Sequence, residues 1–296
     1  MSIVEKIREL KEKRGALILA HNYQPPEIQD IADFTGDSLE LSRKAAAHPA
    51  SVVIFCGVHF MAETAAILSP DKTVILPAPD AGCPMADMVD ARLLLEMRAK
   101  YPEAKVVCYV NTTAEVKAVS DICCTSANAV DIVSSIEEDI IFVPDEYLGA
   151  YAASKTGRKF HLWPGYCPTH AMITPIDVKR AREDNPGCKV LVHPECRSDV
   201  AALADDVLST GGMLRYAARS DAGTIAVGTE TGILYRLSKD NPGKRFVPVT
   251  RTAVCPNMKK ITLEKVLRSL ETLEPRITVP EDVRSKAYGA LLPLLT

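Results

Sequence analysis

The chain has 296 residues, 47% hydrophobic and 25% charged, with a formal net charge of -3. Such a length buries a sizeable core in one large domain or two to three smaller ones. The near-neutral charge gives no general attraction to nucleic acid or anionic membrane, and no apolar run approaches the ~18–20 residues that span a bilayer.

The first predicted element, VEKIRELKEKRG, is an amphipathic charged helix stopped by Gly15, not a signal peptide. A strand ALILAHNYQ (16–24) follows, then a helix SLELSRKAAAH opened by Ser38, a strand SVVIFCG, a helix VHFMAETAAILS, and a strand KTVILPAPD that runs into Cys83-Pro84. A linking helix, DARLLLEMRAKYP, leads into the same order again. The second round is KVVCYVNTT (105–113), SANAVDIVSSI opened by Ser126, DIIFVPD, EYLGAYAASKT and RKFHLWPG, ending at Cys167-Pro168. After the link TPIDVKRAREDNP comes KVLVHPECR (189–197), then TGGMLRYAARS opened by Thr210, TIAVGTE, ETGILYRLSKD and KRFVPVTR, ending at Cys255-Pro256. The tail, ITLEKVLRSLETLEP and PEDVRSKAYGALLPLL, is helical and is expected to pack back on the first unit.

Strands alternating with helices of this length read as βαβ crossovers and a parallel sheet, and short continuous apolar strands are those of a sheet covered on both faces. The expectation is an α/β fold of three homologous three-layer α/β/α sandwich units with parallel sheets, at 1–85, 86–170 and 171–260, related by pseudo-threefold symmetry around a central cavity, with helices 261–296 against the first. In each unit an Asp precedes the helix-opening hydroxyl by five residues: Asp33 and Ser38, Asp121 and Ser126, Asp205 and Thr210. Ser and Thr there read as N-caps, and the Asp residues as ties that hold the loops.

Nine cysteines are an odd number and make no disulfide framework; Cys56 and Cys108, in apolar strands, read as buried small hydrophobes. The three Cys-Pro pairs differ. Nine cysteines and 20 prolines would meet by chance roughly 0.6 times in 296 residues, yet three pairs occur, each after the third strand of a unit. Pro84 would end the strand and fix the turn that aims Cys83. Loops at the carboxyl ends of parallel strands build the site in such sheets. Equivalent loops meeting on one axis would bring Cys83, Cys167 and Cys255 together as metal ligands. Three thiolates could hold catalytic zinc with an open position, or a [4Fe–4S] cluster with one iron free of protein ligands. Zinc sites usually carry a close C-x-x-C pair, absent here, so widely separated cysteines favour the cluster. An open iron would act as a Lewis acid, as dehydration requires.

The helix N-termini at Ser38, Ser126 and Thr210 would face the same cavity and bind a substrate bearing carboxylates or a phosphate. His21, His193 and His170 can move protons, and Tyr23, Tyr109, Asn111 and Glu195 add two phenols, an amide and a carboxylate. His21 and His193 are placed at one repeat position, with Asn111 as the third member. His48, His59 and His161 read as surface or packing residues. A shielded, fully ligated electron-transfer protein would have no need of the His, Tyr and Glu set, and a zinc-binding module is the weakest reading.

Several long motifs resemble one family: LAHNYQPPEIQDIADFTGDSL, YVNTTAEVKAVSDICCTSANAV, VHPEC, STGGM and AVCPNMKK are similar to those of the quinolinate synthases, over about residues 4–290. The chain is similar to their compact form, with one cluster cysteine per repeat and no C-x-x-C-x-x-C near the C-terminus. The resemblance implies a triplicated α/β enzyme with a [4Fe–4S] cluster. It further implies condensation of iminoaspartate (iminosuccinate) with dihydroxyacetone phosphate to quinolinate, with loss of phosphate and water, in cytoplasmic NAD biosynthesis. An L-aspartate oxidase or dehydrogenase would supply the iminoaspartate; no nucleic acid or membrane partner is implied. Cluster ligation then falls to Cys83, Cys167 and Cys255. Dicarboxylate binding falls to His21, Ser38, Tyr109, Asn111, Ser126, His193, Glu195 and Thr210, and proton movement to Tyr23, Glu195, His21, His193 and His170. None of these positions departs from the family pattern. Hydroxymethylbutenyl diphosphate reductase and the diphthamide radical synthases share the three-cysteine plan, but HNYQ and YVNTTAEVK disfavour both.

Overall fold

The computed structural model describes residues 1–295. The first unit runs α1 (Ile3–Arg14), β1 (Ala16–His21), α2 (Pro26–Ile31), β2 (Phe34–Gly36), α3 (Ser38–Ala47), β3 (Val52–Cys56), α4 (His59–Leu68) and β4 (Thr73–Ile75). The second repeats that order: α5 (Ala91–Lys100), β5 (Lys105–Tyr109), α6 (Ala114–Ala118), β6 (Ile122–Cys124), α7 (Ala129–Ser134), β7 (Ile140–Val143), α8 (Glu146–Thr156) and β8 (His161–Leu162). After a single turn, α9 (Pro168–Ala171), the third has α10 (Pro175–Asp184), β9 (Lys189–Val192), α11 (Ser198–Ala201), β10 (Asp206–Val207), α12 (Thr210–Arg219), β11 (Thr224–Gly228), α13 (Ile233–Asp240) and β12 (Arg245–Pro248). Two tail helices close the chain, α14 (Leu263–Thr272) and α15 (Glu281–Leu291).

Each unit forms one four-stranded parallel sheet, in the orders β2-β1-β3-β4, β6-β5-β7-β8 and β10-β9-β11-β12. The mixed α/β class and the three parallel sheets are those expected. The sheets have four strands, however, where three per unit were expected. β2, β6 and β10 are two or three residues long, too short to display a period of two, and each follows a helical turn of four to six residues. The central strands are buried almost throughout, because helices cover both faces.

The three Asp residues mark the repeat most sharply. Asp33, Asp121 and Asp205 accept from the main-chain N–H of Ile18, Val106 and Val190, each 15 residues upstream, at 2.9, 2.8 and 2.8 Å. Each returns its own N–H to the carbonyl of the same strand residue. A cation from the preceding helix completes each brace: Lys11, Arg98 and Arg182. The exchange docks the edge strand beside the first strand of its unit. Asp121→Ala removes an acceptor from a part-buried N–H, so it is expected to lower unfolding free energy by about 1–3 kcal/mol in urea titrations.

The helix openings shift by a residue or more from the expected caps. Asp37, not Ser38, caps α3, with its carboxylate on Glu40 N and Glu40 reaching back to Asp37 N. Ser209, not Thr210, caps α12 by accepting from Gly212 N, and Ser126 lies in the loop before α7, whose N-cap is Asn128. The hydroxyls of Ser38 and Thr210 are thereby released from capping. A methyl at Gly211 would meet Asp37 Oδ2 at 2.6 Å, so that carboxylate would have to shift where the starts of α3 and α12 approach.

The tail does not rest on the first unit alone. α14 packs on α1, while α15 lies across α4 of the first unit and α6 of the second. Its buried face (Ala287, Ala290 and Leu291) matches apolar surface from both units, a partner choice that periodicity leaves open. Residue 296 of the expected tail lies outside the described residues.

Candidate active site

The carboxyl-end loops of all three sheets line one cavity of about 180 Å³. It is built in tiers. Strand register places His21, Tyr109 and His193 at one repeat position, where β1, β5 and β9 end, and Tyr23, Asn111 and Glu195 two residues on. This corrects the expected grouping: Tyr109, not Asn111, is the counterpart of the two histidines. The similar neighbours HNY and HPE concealed the offset, and only the ladder counts residues from a common origin.

After each histidine the chain folds back. His21 Nδ1 accepts from Tyr23 N at 3.2 Å, and His193 Nδ1 accepts from Glu195 N at 3.3 Å. Both rings therefore carry their proton on Nε2, which for His193 faces Ser126 Oγ at 3.2 Å. Burial lowers both histidines to about 3, so they are neutral throughout the physiological range. In the unfolded chain they protonate near pH 6.5, so below that pH the unfolded state holds more protons. Stability is therefore expected to fall as pH drops from about 6.5 toward 3, by about 1.4 kcal/mol per pH unit for each histidine, as read from urea midpoints at pH 7 and pH 5.

Glu195 is the hub. Its Oε2 lies 2.7 Å from His170 Nδ1, and its Oε1 accepts from Tyr109 Oη and, at 3.5 Å, from Asn111 Nδ2. Burial alone would push its carboxyl up. The His170 and His193 imidazoles and the Tyr109 hydroxyl outweigh burial and hold it well below the usual carboxylate range. The phenols of Tyr23 and Tyr109 are raised well above 10, by burial first and by Glu195 second. Asn111 Oδ1 is buried without a partner, an acceptor left for a substrate hydrogen. Thr210 Oγ1 accepts from Asn22 Nδ2 at 2.9 Å, and Ser38 faces the same space.

Cys83, Cys167 and Cys255 also line the cavity. Their prolines do not end strands, which stop earlier at Ile75, Leu162 and Pro248; each instead opens a helical turn, at 86–88, 168–171 and 257–259. Proline suits the first residues of a turn, where its missing N–H is not needed. Main-chain N–H groups of those turns (Met85 and Ala86, His170, Asn257 and Met258) favour the thiolates. Burial dominates, pushing Cys83 up to about 12 and raising Cys167 and Cys255, so the sulfurs keep their protons unless a cation replaces them.

One zinc with Zn–S bonds of about 2.3 Å would draw three sulfurs to about 3.8 Å apart. Among the described residues the only Cys/His/Asp/Glu trio whose ligand atoms come within 4.8 Å of one another is Cys167, His170 and Glu195. The three Cys-Pro sulfurs are more widely spaced. Soft donors set apart on three loops fit a larger group, an iron–sulfur cluster, better than a single ion.

The structure thus brings every expected site residue to one cavity. Sequence reasoning missed Glu230. Glu230 lines the cavity and takes Cys255 N at 3.2 Å, Gly232 N at 2.7 Å and Lys259 Nζ at 2.9 Å, tying the third cysteine loop to α13. The available signal was its match to Asp145, two residues beyond the equivalent strand β7. Among the described residues no helix is long and apolar enough to cross a membrane.

The sequence matches a known family. A family model described as Quinolinate synthetase A protein matches residues 5–296. A quinolinate synthase of Dehalococcoides mccartyi is 60% identical over 99% of this chain and 97% of its own length. One from Methanoregula boonei is 59% identical over 97% of this chain and 95% of its length, and one from Thermodesulfovibrio yellowstonii is 55% identical over 99% and 97%. The chain belongs to the quinolinate synthase family.

Proposed function

We propose that this enzyme condenses iminoaspartate (iminosuccinate) with dihydroxyacetone phosphate to give quinolinate, phosphate and water, in NAD biosynthesis in the cytoplasm. Cys83, Cys167 and Cys255 hold a [4Fe–4S] cluster with one iron free of protein ligands. The observation that carries this reading is the meeting of three thiols, a shielded carboxylate and two neutral imidazoles in a single cavity. The units at 1–85, 86–170 and 171–260 are taken as related by pseudo-threefold symmetry. When bound, the cluster supplies a Lewis acid for loss of water.

The chain's own residues do the rest. Ser38 and Thr210, at the starts of α3 and α12, offer hydroxyls and helix N-termini to carboxylate and phosphate oxygens. His21, Tyr109, Asn111, Ser126 and His193 orient the dicarboxylate through the donors and acceptors left facing the cavity. Glu195 and His170 accept and return protons, and Tyr23 delivers one at the cavity wall. The wall excludes water, so these charges act in a low dielectric. An L-aspartate oxidase or dehydrogenase would supply the iminoaspartate.

The test is anaerobic purification, iron and sulfide analysis, and addition of both substrates; a cluster-loaded sample that forms no quinolinate would sink the reading. Thr210→Ala is expected to raise KM for iminoaspartate by about 10–100-fold, the loss of one hydrogen bond to a charged group. The cluster absorbance should stay unchanged, and its loss would place Thr210 among the cluster supports instead.

A further inference from the structure

Asn22 stands in the HNYQ motif, yet it does not line the cavity. Its side chain is fully buried and reaches out of its own unit into the third. Asn22 Nδ2 donates to Thr210 Oγ1 at 2.9 Å, and Asn22 Oδ1 accepts from the Arg236 guanidinium at 3.2 Å. Arg236 lies on α13, where it also donates to the Thr35 carbonyl and pairs with Asp240 at 3.2 Å. Gln29 Nε2 donates to the Asn22 carbonyl at 3.2 Å and to that of Gly232 at 3.1 Å. Both the main chain and the amide of Asn22 are thereby tied to the third unit.

Each bond sets the direction of the next. A guanidinium has five donors and no acceptor, so the edge of Asn22 that faces Arg236 must be its oxygen. The NH2 group then faces Thr210, and it can only donate. Thr210 Oγ1 accepts that bond. Among the described residues the hydroxyl makes no other hydrogen bond, so its hydrogen is left for the cavity that Thr210 lines. A carboxylate oxygen has lone pairs and no hydrogen. A hydroxyl fixed as donor suits it, and one that presents only lone pairs repels it.

Strand register makes this amide peculiar to the first unit. His21, Tyr109 and His193 are equivalent, and directly after them stand Asn22, Val110 and Pro194. Neither valine nor proline has a side-chain donor. The hydroxyl of Ser126, in the second unit, instead faces His193 Nε2 at 3.2 Å.

We propose that Asn22, oriented by Arg236, is a positioning residue that fixes Thr210 as a hydrogen-bond donor to a carboxylate oxygen of the dicarboxylate substrate. The proposal rests on the quinolinate synthase reading above and gives its Thr210 contact a direction.

Asn22→Asp keeps the shape and the Arg236 contact but puts an oxygen where the NH2 group was. Thr210 must then donate to residue 22 and turn its lone pairs to the cavity. The probe is succinate, a dicarboxylate without the reactive imine, titrated by calorimetry into the cluster-loaded full chain. Asn22→Asp is expected to raise its Kd by about 10–100-fold, the worth of one hydrogen bond to a charged group, with iron content unchanged. KM for iminoaspartate should rise alike. In a Thr210→Ala background the same substitution should change Kd by less than about twofold, because no hydroxyl is left to turn. Charge repulsion or a general loosening would act in both backgrounds. Arg236→Met leaves the charge at position 22 untouched and frees the amide to turn. It should raise Kd by about 3–10-fold, and again only where Thr210 is present. Unchanged Kd in Asn22→Asp, an equal rise in both backgrounds, or a wild-type protein that binds no succinate would overturn the proposal. A wild-type protein that binds succinate yet makes no quinolinate would defeat the functional reading instead, and the comparison of the two backgrounds would still decide the role of Asn22.

Discussion

Cys167→Ser is expected to abolish cluster absorbance and turnover together, with activity down by at least ~100-fold, the upper end of what disturbing only a ligand's supporting partners costs. The serine hydroxyl is a hard donor that keeps its proton at neutral pH, so it cannot replace a soft thiolate. Two cysteines, on the loops after β4 and β12, would remain to hold the group. Cys167 Sγ also lies 3.1 Å from His170 Nδ1, so its loss disturbs the proton-moving pair as well. Iron and sulfide analysis beside activity checks both effects. A serine variant with full turnover and no iron would refute the Lewis-acid role.

Glu195→Gln should leave the cluster in place and reduce kcat by about 10²–10⁴-fold, the range for losing a general acid–base group. The size is expected because the carboxylate sits among donors: His170 Nδ1, Tyr109 Oη and Asn111 Nδ2 all point at it. Glutamine replaces one acceptor oxygen with an NH2 group. That group then faces either His170 or the Tyr109–Asn111 side, donor against donor. The substitution therefore removes the proton acceptor and scrambles the ring it orients. Single-turnover rates with unchanged iron content check it; a variant as fast as wild type would make Glu195 structural.

Much of the site was legible in the chain because it is written three times. The same strand–helix order and the Cys-Pro pairs at 83, 167 and 255 identify the units and their ligand loops without any contact being known. What resisted reading was local. The edge strands β2, β6 and β10 are too short to show alternation. Ser38 and Thr210 resemble caps because Asp37 and Ser209, the actual caps, stand directly before them. By residue type Asn111 pairs with His21 and His193, whereas ladder register pairs Tyr109 with them.

By itself the sequence determined the α/β class, the threefold repetition, the cysteine set and the polar residues at strand ends. Those properties depend on periodicity, on turn residues and on which groups can ligate or move protons, all of them local to the chain. Only the tertiary structure decided which groups touch. Glu195 meets Tyr109 at a separation of 86 residues, and Thr229 meets Tyr23 at 206. The tail helix α15 meets α4 and α6 for the same reason. Such contacts arise from how whole units dock, where apolar faces of similar pattern could pair in several ways and packing chooses one.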